Sequence, residues 1–192
     1  ELGDSRATEY LIESLREDRN VDVRVRAARA LGRLGGKIVV GPLVEALNDE
    51  NPQVCITATD ALIEIGDVAT DALMGSLDHE KVNVRCDATR ALGEIGNKKA
   101  VDKIINMLYD EWVNVRIYAV TSLGKLNDTK AVPALIDVMK NEKENELVRA
   151  GAAAALGVLR DQRALLPLRE LIMAAEELGE LEDTALKSFK KI

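Results

Sequence analysis

The segment VNVRCDATRALGEIG at residues 82–96 decides the fold, because close variants of it recur along the chain. The other copies are VDVRVRAARALGRLG at 21–35, PQVCITATDALIEIG at 52–66, VNVRIYAVTSLGKLN at 113–127 and ELVRAGAAAALGVLR at 146–160. Self-similarity at a fixed period of about 20–50 residues is typical of stacked repeat proteins. The chain is therefore expected to consist of small units that bury their apolar surfaces against one another.

Each copy contains a leucine that serves here as the anchor of the repeat: Leu31, Leu62, Leu92, Leu123 and Leu156. A valine stands eight residues before each anchor, an alanine four before it, and a leucine or isoleucine three after it. These positions lie on one face of an α-helix, and no alternation of period two is present. The pattern predicts a helix with a buried stripe in every repeat and no strands.

A shorter helix is predicted before each anchored helix, so each repeat holds a first and a second helix. Three prolines stand near the predicted starts of first helices: Pro42, Pro133 and Pro167. Gly35, Gly66 and Gly96 follow second helices, where a left-handed residue commonly ends a helix. Asn127 can take that conformation in the fourth repeat. Arg160 stands at the same place in the fifth, and we expect that helix to end differently.

The repeats predict a single domain over 1–192 with six helix pairs: 7–35, 38–66, 68–96, 99–127, 130–160 and 163–192. Residues 1–6 resemble the end of a second helix, which suggests the remnant of a preceding repeat and a longer parent protein. The last unit is degenerate, with Phe189 at the anchor and Ala185 four before it. It is expected to act as a C-terminal cap.

Paired helices at about 31 residues, with V-R-x-x-A-x-x-A-L-G in the second, resemble the HEAT-like repeats named after phycocyanobilin lyases. The resemblance implies an all-α, right-handed α-solenoid of about six helix pairs, with first helices on the convex side and second helices on the concave side. It does not by itself imply a function, because the fold hosts scaffolds, inhibitors and a few enzymes.

Composition narrows the possible functions. The net charge of −7 argues against nucleic-acid binding, which requires cations that displace counterions from phosphate. No apolar run approaches the ~20 residues of a membrane span, and no signal peptide is recognisable. A cytoplasmic protein without membrane association is therefore expected.

The residues offer little for catalysis. One HEAT-repeat class, the di-iron hydroxylases, carries several His-Glu pairs, whereas this chain has only His79-Glu80, in a turn. Cys55 and Cys86 lie on neighbouring second helices with no histidine in register to activate them, and we expect both thiols to stay unbridged and inert. We therefore predict no catalytic residue, no metal and no cofactor. A base-excision glycosylase would need a basic, aromatic groove, which a single Trp112 and the acidic charge do not supply.

The second helices also carry a row of arginines seven residues before the anchors: Arg24, Arg85, Arg116 and Arg149, with Cys55 in the second repeat. Aspartates stand six residues earlier in three turns: Asp18, Asp49 and Asp110. A ladder of Asp–Arg hydrogen bonds that ties each turn to its helix is expected, since the guanidinium suits bidentate pairing. A phosphate-binding row is the alternative, and the acidic neighbours argue against it.

A protein-binding surface is predicted on the concave face, at the positions five and two before and two after each anchor. The first three repeats contribute Arg26, Arg29 and Arg33, then Thr57, Asp60 and Glu64, then Asp87, Arg90 and Glu94. The next two contribute Tyr118, Thr121 and Lys125, then Gly151, Ala154 and Val158. The face is thus expected to change from basic to acidic to nearly apolar, unless the terminal helix covers the apolar part.

Tyr109 and Trp112 fall in the turn of the fourth repeat. They are interpreted either as packed against the neighbouring turn or as an exposed recognition patch on the edge of the solenoid.

The sequence predicts a non-enzymatic scaffold that binds a protein or peptide through its concave face. The alternative implied by the resemblance is an accessory subunit of a bilin lyase or another tetrapyrrole-modifying enzyme, although Tyr118 is the only aromatic residue in the expected groove. A third interpretation is a repeat module of a larger protein.

Overall fold

Twelve α-helices, joined by turns and short 3₁₀ segments, and no strands make up the part of the chain that the computed structural model describes, residues 2–174 and 179–192. The first helices are α1 (Leu2–Glu17), α3 (Lys37–Glu45), α5 (Thr70–Ser76), α7 (Val101–Met107), α9 (Val132–Lys140) and α11 (Leu165–Ala174). The second helices are α2 (Val21–Leu34), α4 (Pro52–Ile65), α6 (Val82–Ile95), α8 (Val113–Leu126), α10 (Glu146–Leu159) and α12 (Glu180–Phe189). The all-α class and the order of helix pairs are confirmed.

The structure divides into two compact units, Glu1–Ile95 and Gly96–Ile192. In the first unit, α4 packs against both α2 and α6; in the second, α10 packs against both α8 and α12. Each unit therefore stacks its second helices side by side, and the first helices α3 and α9 contact α5 and α11 respectively. Residues 2–6 are part of α1. The predicted repeat limits, with the suggested remnant of a preceding repeat at 1–6, stay a prediction.

The buried stripe of the second helices follows the predicted register with one correction. All five anchor leucines are fully buried, and the alanines four residues before them are at most 2% exposed. The position three after the anchor is less uniform, since Leu34 is 46% exposed. The residue three before the anchor is buried in all five copies instead: Ala28, Thr59, Thr89, Val120 and Ala153. The two threonine hydroxyls in this row donate to the carbonyls four residues earlier, which satisfies them inside the stack.

Two boundary predictions are wrong. Pro42 lies inside α3, which begins five residues earlier at Lys37. The helix extends because Val39 and Val40 are buried in the core of their unit, so packing outweighs the backbone donor that Pro42 lacks. Arg160 ends α10 in the left-handed conformation (φ 51°), as Asn127 ends α8, and its N–H donates to the carbonyl of Leu156. The bond to the anchor carbonyl holds Arg160 in this conformation, which glycine adopts more readily.

Candidate binding surface

Two members of the arginine row, Arg24 and Arg116, join neighbouring repeats and do not merely tie a turn to its own helix. Arg24 is 5% exposed, and its Nε and Nη2 donate to Oδ2 and Oδ1 of Asp49 in the next repeat at 2.9 and 2.8 Å. It reaches its own turn through the carbonyl oxygen of Asp18 (3.0 Å). The side chain of Asp18 instead accepts a hydrogen bond from the N–H of Asn20. The predicted Asp–Arg ladder is therefore corrected: the carboxylate partner lies one repeat further along.

Among the other members of the row, Arg116 also reaches the next repeat, whereas the following bonds of Arg85, Cys55 and Arg149 are to turns of their own repeats. Arg85 Nη1 donates to the carbonyls of His79 and Glu80, and Cys55 Sγ donates to the carbonyl of Asp49. Arg116 Nη1 donates to the carbonyl of Asp110, and its Nη2 lies 2.7 Å from Glu144 Oε1 in the next repeat. Arg149 Nε donates to the carbonyl of Met139. The guanidinium groups of the row are therefore engaged in hydrogen bonds to the turns. This makes the row unsuited to binding phosphate.

In the first unit, most of the predicted binding-face residues lie at the surface of the stacked second helices. Arg26, Arg29, Arg33, Asp60, Glu64 and Glu94 are exposed, while Asp87 and Arg90 are half-buried. Arg90 Nη2 lies 3.2 Å from Asp60 Oδ1, so the middle of this face is partly neutralised. Thr57 is buried and donates to the carbonyl of Gln53, which removes it from the predicted face.

Burial perturbs two ionisable groups near the same face. Burial raises the pKa of the Asp87 carboxyl; Arg90 opposes this effect and Asp60 adds to it. Burial also raises the pKa of the Cys55 thiol, and the nearby carboxylates of Asp87 and Asp49 add to the shift. A raised thiol pKa lowers the thiolate fraction and hence the reactivity of Cys55 at neutral pH. Both cysteines are free thiols in the structure, and their resistance to oxidation stays a prediction.

In the second unit, the same face forms an apolar groove of about 300 Å³ between α8 and α10. It is lined by Val120, Thr121, Gly124, Lys125, Gly151, Ala154, Ala155 and Val158. Two glycines allow the helices to meet at its floor: a Cβ built on Gly151 would lie 2.6 Å from Val120 Cγ2, and one on Gly124 would lie 3.4 Å from Ala155 Cβ. Sequence reasoning named three of these residues as the apolar end of the face, but it did not identify the groove.

The terminal helix leaves this groove open. α12 packs against α10 through Gly157, where a built Cβ would lie 2.5 Å from Ser188 Cβ. Val158 is nevertheless 50% exposed and Ala154 is exposed; Tyr118, which precedes the groove residues on α8, is 38% exposed. The alternative in which the terminal helix covers the apolar part of the face is therefore not observed.

The two aromatic residues of the fourth turn are both exposed, Tyr109 by 65% and Trp112 by 53%. Among the residues that the structure describes, no cluster of His, Cys, Asp and Glu side chains could hold a metal ion. His79 has a structural part in its turn: its Nδ1 accepts a hydrogen bond from the N–H of Lys81 at 3.0 Å. No helix in the described part is long and apolar enough to cross a membrane.

Comparison with known families supports the repeat assignment. The family model for HEAT repeats matches residues 8–82 and 101–188, and the model for the PBS lyase HEAT-like repeat matches residues 84–110. The chain belongs to the HEAT-repeat family. The resemblance drawn from the repeated motif is confirmed.

Among curated proteins, this HEAT-repeat chain is 33% identical over 93 residues to "Phycocyanin alpha phycocyanobilin lyase CpcF" of Synechocystis sp., which covers 48% of this chain and 44% of that protein. It is 35% identical over 78 residues to "Bilin biosynthesis protein RpcF" of Synechococcus sp., covering 41% and 37% of the two chains. The matches thus span less than half the length of these curated relatives. The prediction of a non-enzymatic protein is contradicted by this finding, since the first relative is a lyase.

Solved structures show the same fold. The complex of CpcE and CpcF of phycocyanin lyase from Nostoc sp. matches with a TM-score of 0.71 and 22% identity, over 80% of this chain and 99% of that chain. Human deoxyhypusine hydroxylase matches with a TM-score of 0.55 and 22% identity, over 97% and 74% of the two chains. A computationally designed armadillo repeat protein for modular peptide recognition also matches, with a TM-score of 0.57 and 19% identity over 95% and 98%.

Proposed function

We propose that the HEAT-repeat chain is a subunit of a bilin-lyase type enzyme, which handles a linear tetrapyrrole together with a protein partner. The observation that carries the proposal is the 33% identity over 93 residues to a phycocyanobilin lyase. The complex of two lyase subunits among the structural neighbours favours a protein partner. This proposal replaces the prediction of a non-enzymatic scaffold. The predicted binding face remains the surface that is proposed to bind the tetrapyrrole and the protein partner.

The groove between α8 and α10 supports this function by its chemistry. Its lining is mostly apolar, and Lys125 supplies a cation at its border. A volume of about 300 Å³ lies at the lower end of the range for small-molecule sites, roughly 300–1,000 Å³. Since such sites combine apolar walls with few polar groups, the groove suits part of a flat, largely apolar tetrapyrrole that carries acidic side groups.

The face of the first unit supports binding of a second, acidic group. Arg26, Arg29 and Arg33 are exposed on α2 at a spacing that places them on one helical face. Guanidinium groups bind carboxylates through paired hydrogen bonds. These three residues are proposed to steer an acidic partner protein, an effect that shows in association rates and weakens with salt.

The experiment is a titration of the chain with phycocyanobilin, with and without the apo form of the phycocyanin α-subunit, followed by absorbance and fluorescence. We expect a spectral shift on binding. Ala154→Arg fills the groove from an exposed position and should abolish the shift, whereas Ala7→Arg, the same substitution at an exposed position of α1, should retain it. No shift with the unmodified chain, alone or with the acceptor, would overturn the proposal.

A second experiment distinguishes the role of the arginines on α2 from that of the groove between α8 and α10. Reversing Arg29 and Arg33 to Glu should slow association with the acceptor protein and reduce its salt dependence, while the shift with free bilin persists. Tyr118→Ala should weaken the bilin shift and leave association with the acceptor unchanged. If both variants bind as the parent does, with helicity unchanged by circular dichroism, the working surface lies elsewhere on the chain.

A further inference from the structure

The turn before α8 lacks an N-cap side chain that three of the other turns carry, and the turn before α6, with Lys81 at this position, lacks one too. In three other repeats an asparagine precedes the second helix, and its Oδ1 accepts a hydrogen bond from the N–H two residues on, at 2.9 Å: Asn20, Asn51 and Asn145. Trp112 holds this position before α8 and makes no side-chain cap. Loss of an N-cap side chain destabilises a helix start. The fourth repeat therefore gives up a stabilising group that the same chain uses three times.

The backbone does not explain this substitution. Trp112 has φ −94° and ψ 124°, close to −100° and 120° for Asn51. Its N–H donates to Asp110 Oδ1 at 2.9 Å, as the N–H of Asn51 donates to Asp49 Oδ1 at 2.8 Å. An asparagine would thus fit at residue 112 without any change in the turn.

Packing does not explain it either. Trp112 is 53% exposed and Tyr109, one turn earlier, is 65% exposed. Two large aromatic side chains exposed to water in one turn, one of them in place of a cap, gain little from burial. Local rules are most often broken in this way at functional positions, and Trp and Tyr are enriched among the residues that dominate binding energies.

The turn that holds Trp112 and the turn before α10 both carry acidic residues. Arg116 donates to the carbonyl of Glu111 and lies 2.7 Å from Glu144, which places the turn before α8 beside the turn before α10. Glu142 and Glu146, on either side of Glu144, are exposed, and Leu147 adds an apolar side chain that is 55% exposed. The two turns and the residues next to them carry more acidic than basic side chains. The cations are Lys143 and Arg116, which is already hydrogen-bonded, and the five carboxylates are Asp110, Glu111, Glu142, Glu144 and Glu146.

We propose that Tyr109, Trp112, Glu142 and Glu146 form a docking surface, the turn-edge surface, for a basic segment of another protein. An arginine of that segment stacks on the Trp112 ring, where a guanidinium is attracted by the ring quadrupole. Glu142 and Glu146 supply the opposite charge. The same carboxylates repel the phosphates of nucleic acids and of anionic lipids. This surface is separate from the proposed tetrapyrrole groove and does not depend on it.

The test uses Trp112 as its own probe, since it is the sole tryptophan of the chain. A peptide of alternating arginine and glycine should quench its fluorescence, a lysine peptide should act more weakly, and a glutamate peptide should have no effect. Binding of the labelled arginine peptide, followed by anisotropy, should fall at least about tenfold in Trp112→Asn, a hot-spot loss. Trp112→Phe should recover part of the affinity because the ring is kept.

Trp112→Asn also separates binding from folding. The new Asn supplies the missing cap, so the midpoint of urea unfolding should rise while peptide binding is lost. Tyr10→Ala is the matched control, because Tyr10 is 70% exposed beside the exposed acids Glu13 and Glu17 on α1. A lower unfolding midpoint for Trp112→Asn would mean that the indole serves packing and would overturn the proposal. Equal peptide binding by Trp112→Asn and the parent, an equal loss in Tyr10→Ala, or binding of phosphatidylserine vesicles in place of the peptide would also overturn it.

Discussion

At the scale of single residues, the glycine that follows the anchor explains why the repeat motif ends in Leu-Gly. A Cβ built on Gly32 would lie 2.7 Å from Ala61 Cβ and 2.9 Å from Ala61 Cα. The same relation joins Gly124 to Ala155 and Gly157 to Ser188, so each pair sets a glycine against a small residue one before the next anchor. These pairs fix how closely the second helices approach within a unit.

The contact predicts opposite effects for two glycine substitutions in the first unit. Gly32→Ala should lower the free energy of unfolding by about 1–3 kcal/mol, because the added methyl group overlaps the backbone of α4. Gly41→Ala should raise it by about 0.5–1 kcal/mol, since Gly41 lies inside α3 with nothing within 4 Å of a built Cβ. Urea unfolding measures both, and equal midpoints for the two variants would contradict the close approach.

Two bidentate arginine–carboxylate pairs should contribute differently to the free energy of unfolding, because one is buried and the other is exposed. Asp49→Ala should cost about 3 kcal/mol, because it leaves the buried Arg24 guanidinium without its carboxylate. Glu45→Ala removes an equally short bidentate pair with Arg16, but both side chains are about half exposed, so the cost should be much smaller. Chemical unfolding of both variants tests the contrast. Similar losses would mean that the arginine row does not join the repeats.

The Asp87 carboxyl predicts a dependence of stability on pH. Because burial raises its pKa in the folded chain, the folded state binds this proton more tightly than the unfolded state. Its contribution therefore favours folding at low pH and is lost as the pH rises through the raised pKa. Asp87→Asn should thus be more stable than the parent at pH 7, and the difference should vanish below the unfolded pKa of about 3.9. Urea unfolding of Asp87→Asn and the parent at both pH values checks this, and an equal difference at pH 7 and below about pH 3.9 would contradict it.

At the scale of helices, the register rests on small residues at the inner face. Ala88 is fully buried in α6, and Ala154 is exposed in α10. Ala88→Arg should lower the free energy of unfolding by about 4 kcal/mol or more, through overpacking and a buried unpaired charge. Ala154→Arg should change it by less than about 0.5 kcal/mol. If Ala88→Arg melts within about a degree of the parent, where 1 kcal/mol shifts Tm by about 2–4 °C, the helical register is wrong.

At the scale of the whole molecule, stability should vary along each unit because neighbours share the core. α4 contacts two second helices of its own unit and α2 contacts one; α10 and α12 differ in the same way. Native-state hydrogen exchange should therefore be slower in α4 than in α2, and in α10 than in α12. A difference of about tenfold in the exchange rate corresponds to about 1.4 kcal/mol in the free energy of local opening. Equal protection in all four helices would show that each unit opens in a single step.

The sequence by itself determined the helix pairs, the anchor register and the family, because a repeated pattern is read five times and errors in one copy do not obscure it. It also located the exposed arginines of α2 and the aromatic residues of the fourth turn. It could not give their surroundings. Its exposure in the folded turn argues against a packing role for Trp112. The missing cap becomes evident when this turn is compared with the turns at Asn20 and Asn51.

Only the tertiary structure decided which repeat each polar side chain serves. The sequence spacing of Asp18 and Arg24 suggested that their side chains pair within one repeat. Arg24 instead binds the backbone carbonyl of Asp18, and its carboxylate partner is Asp49 in the next repeat. The groove between α8 and α10 likewise depends on Gly151 fitting against Val120 across two helices. Contacts between repeats are set by how helices pack, and a pattern within one repeat does not contain that information.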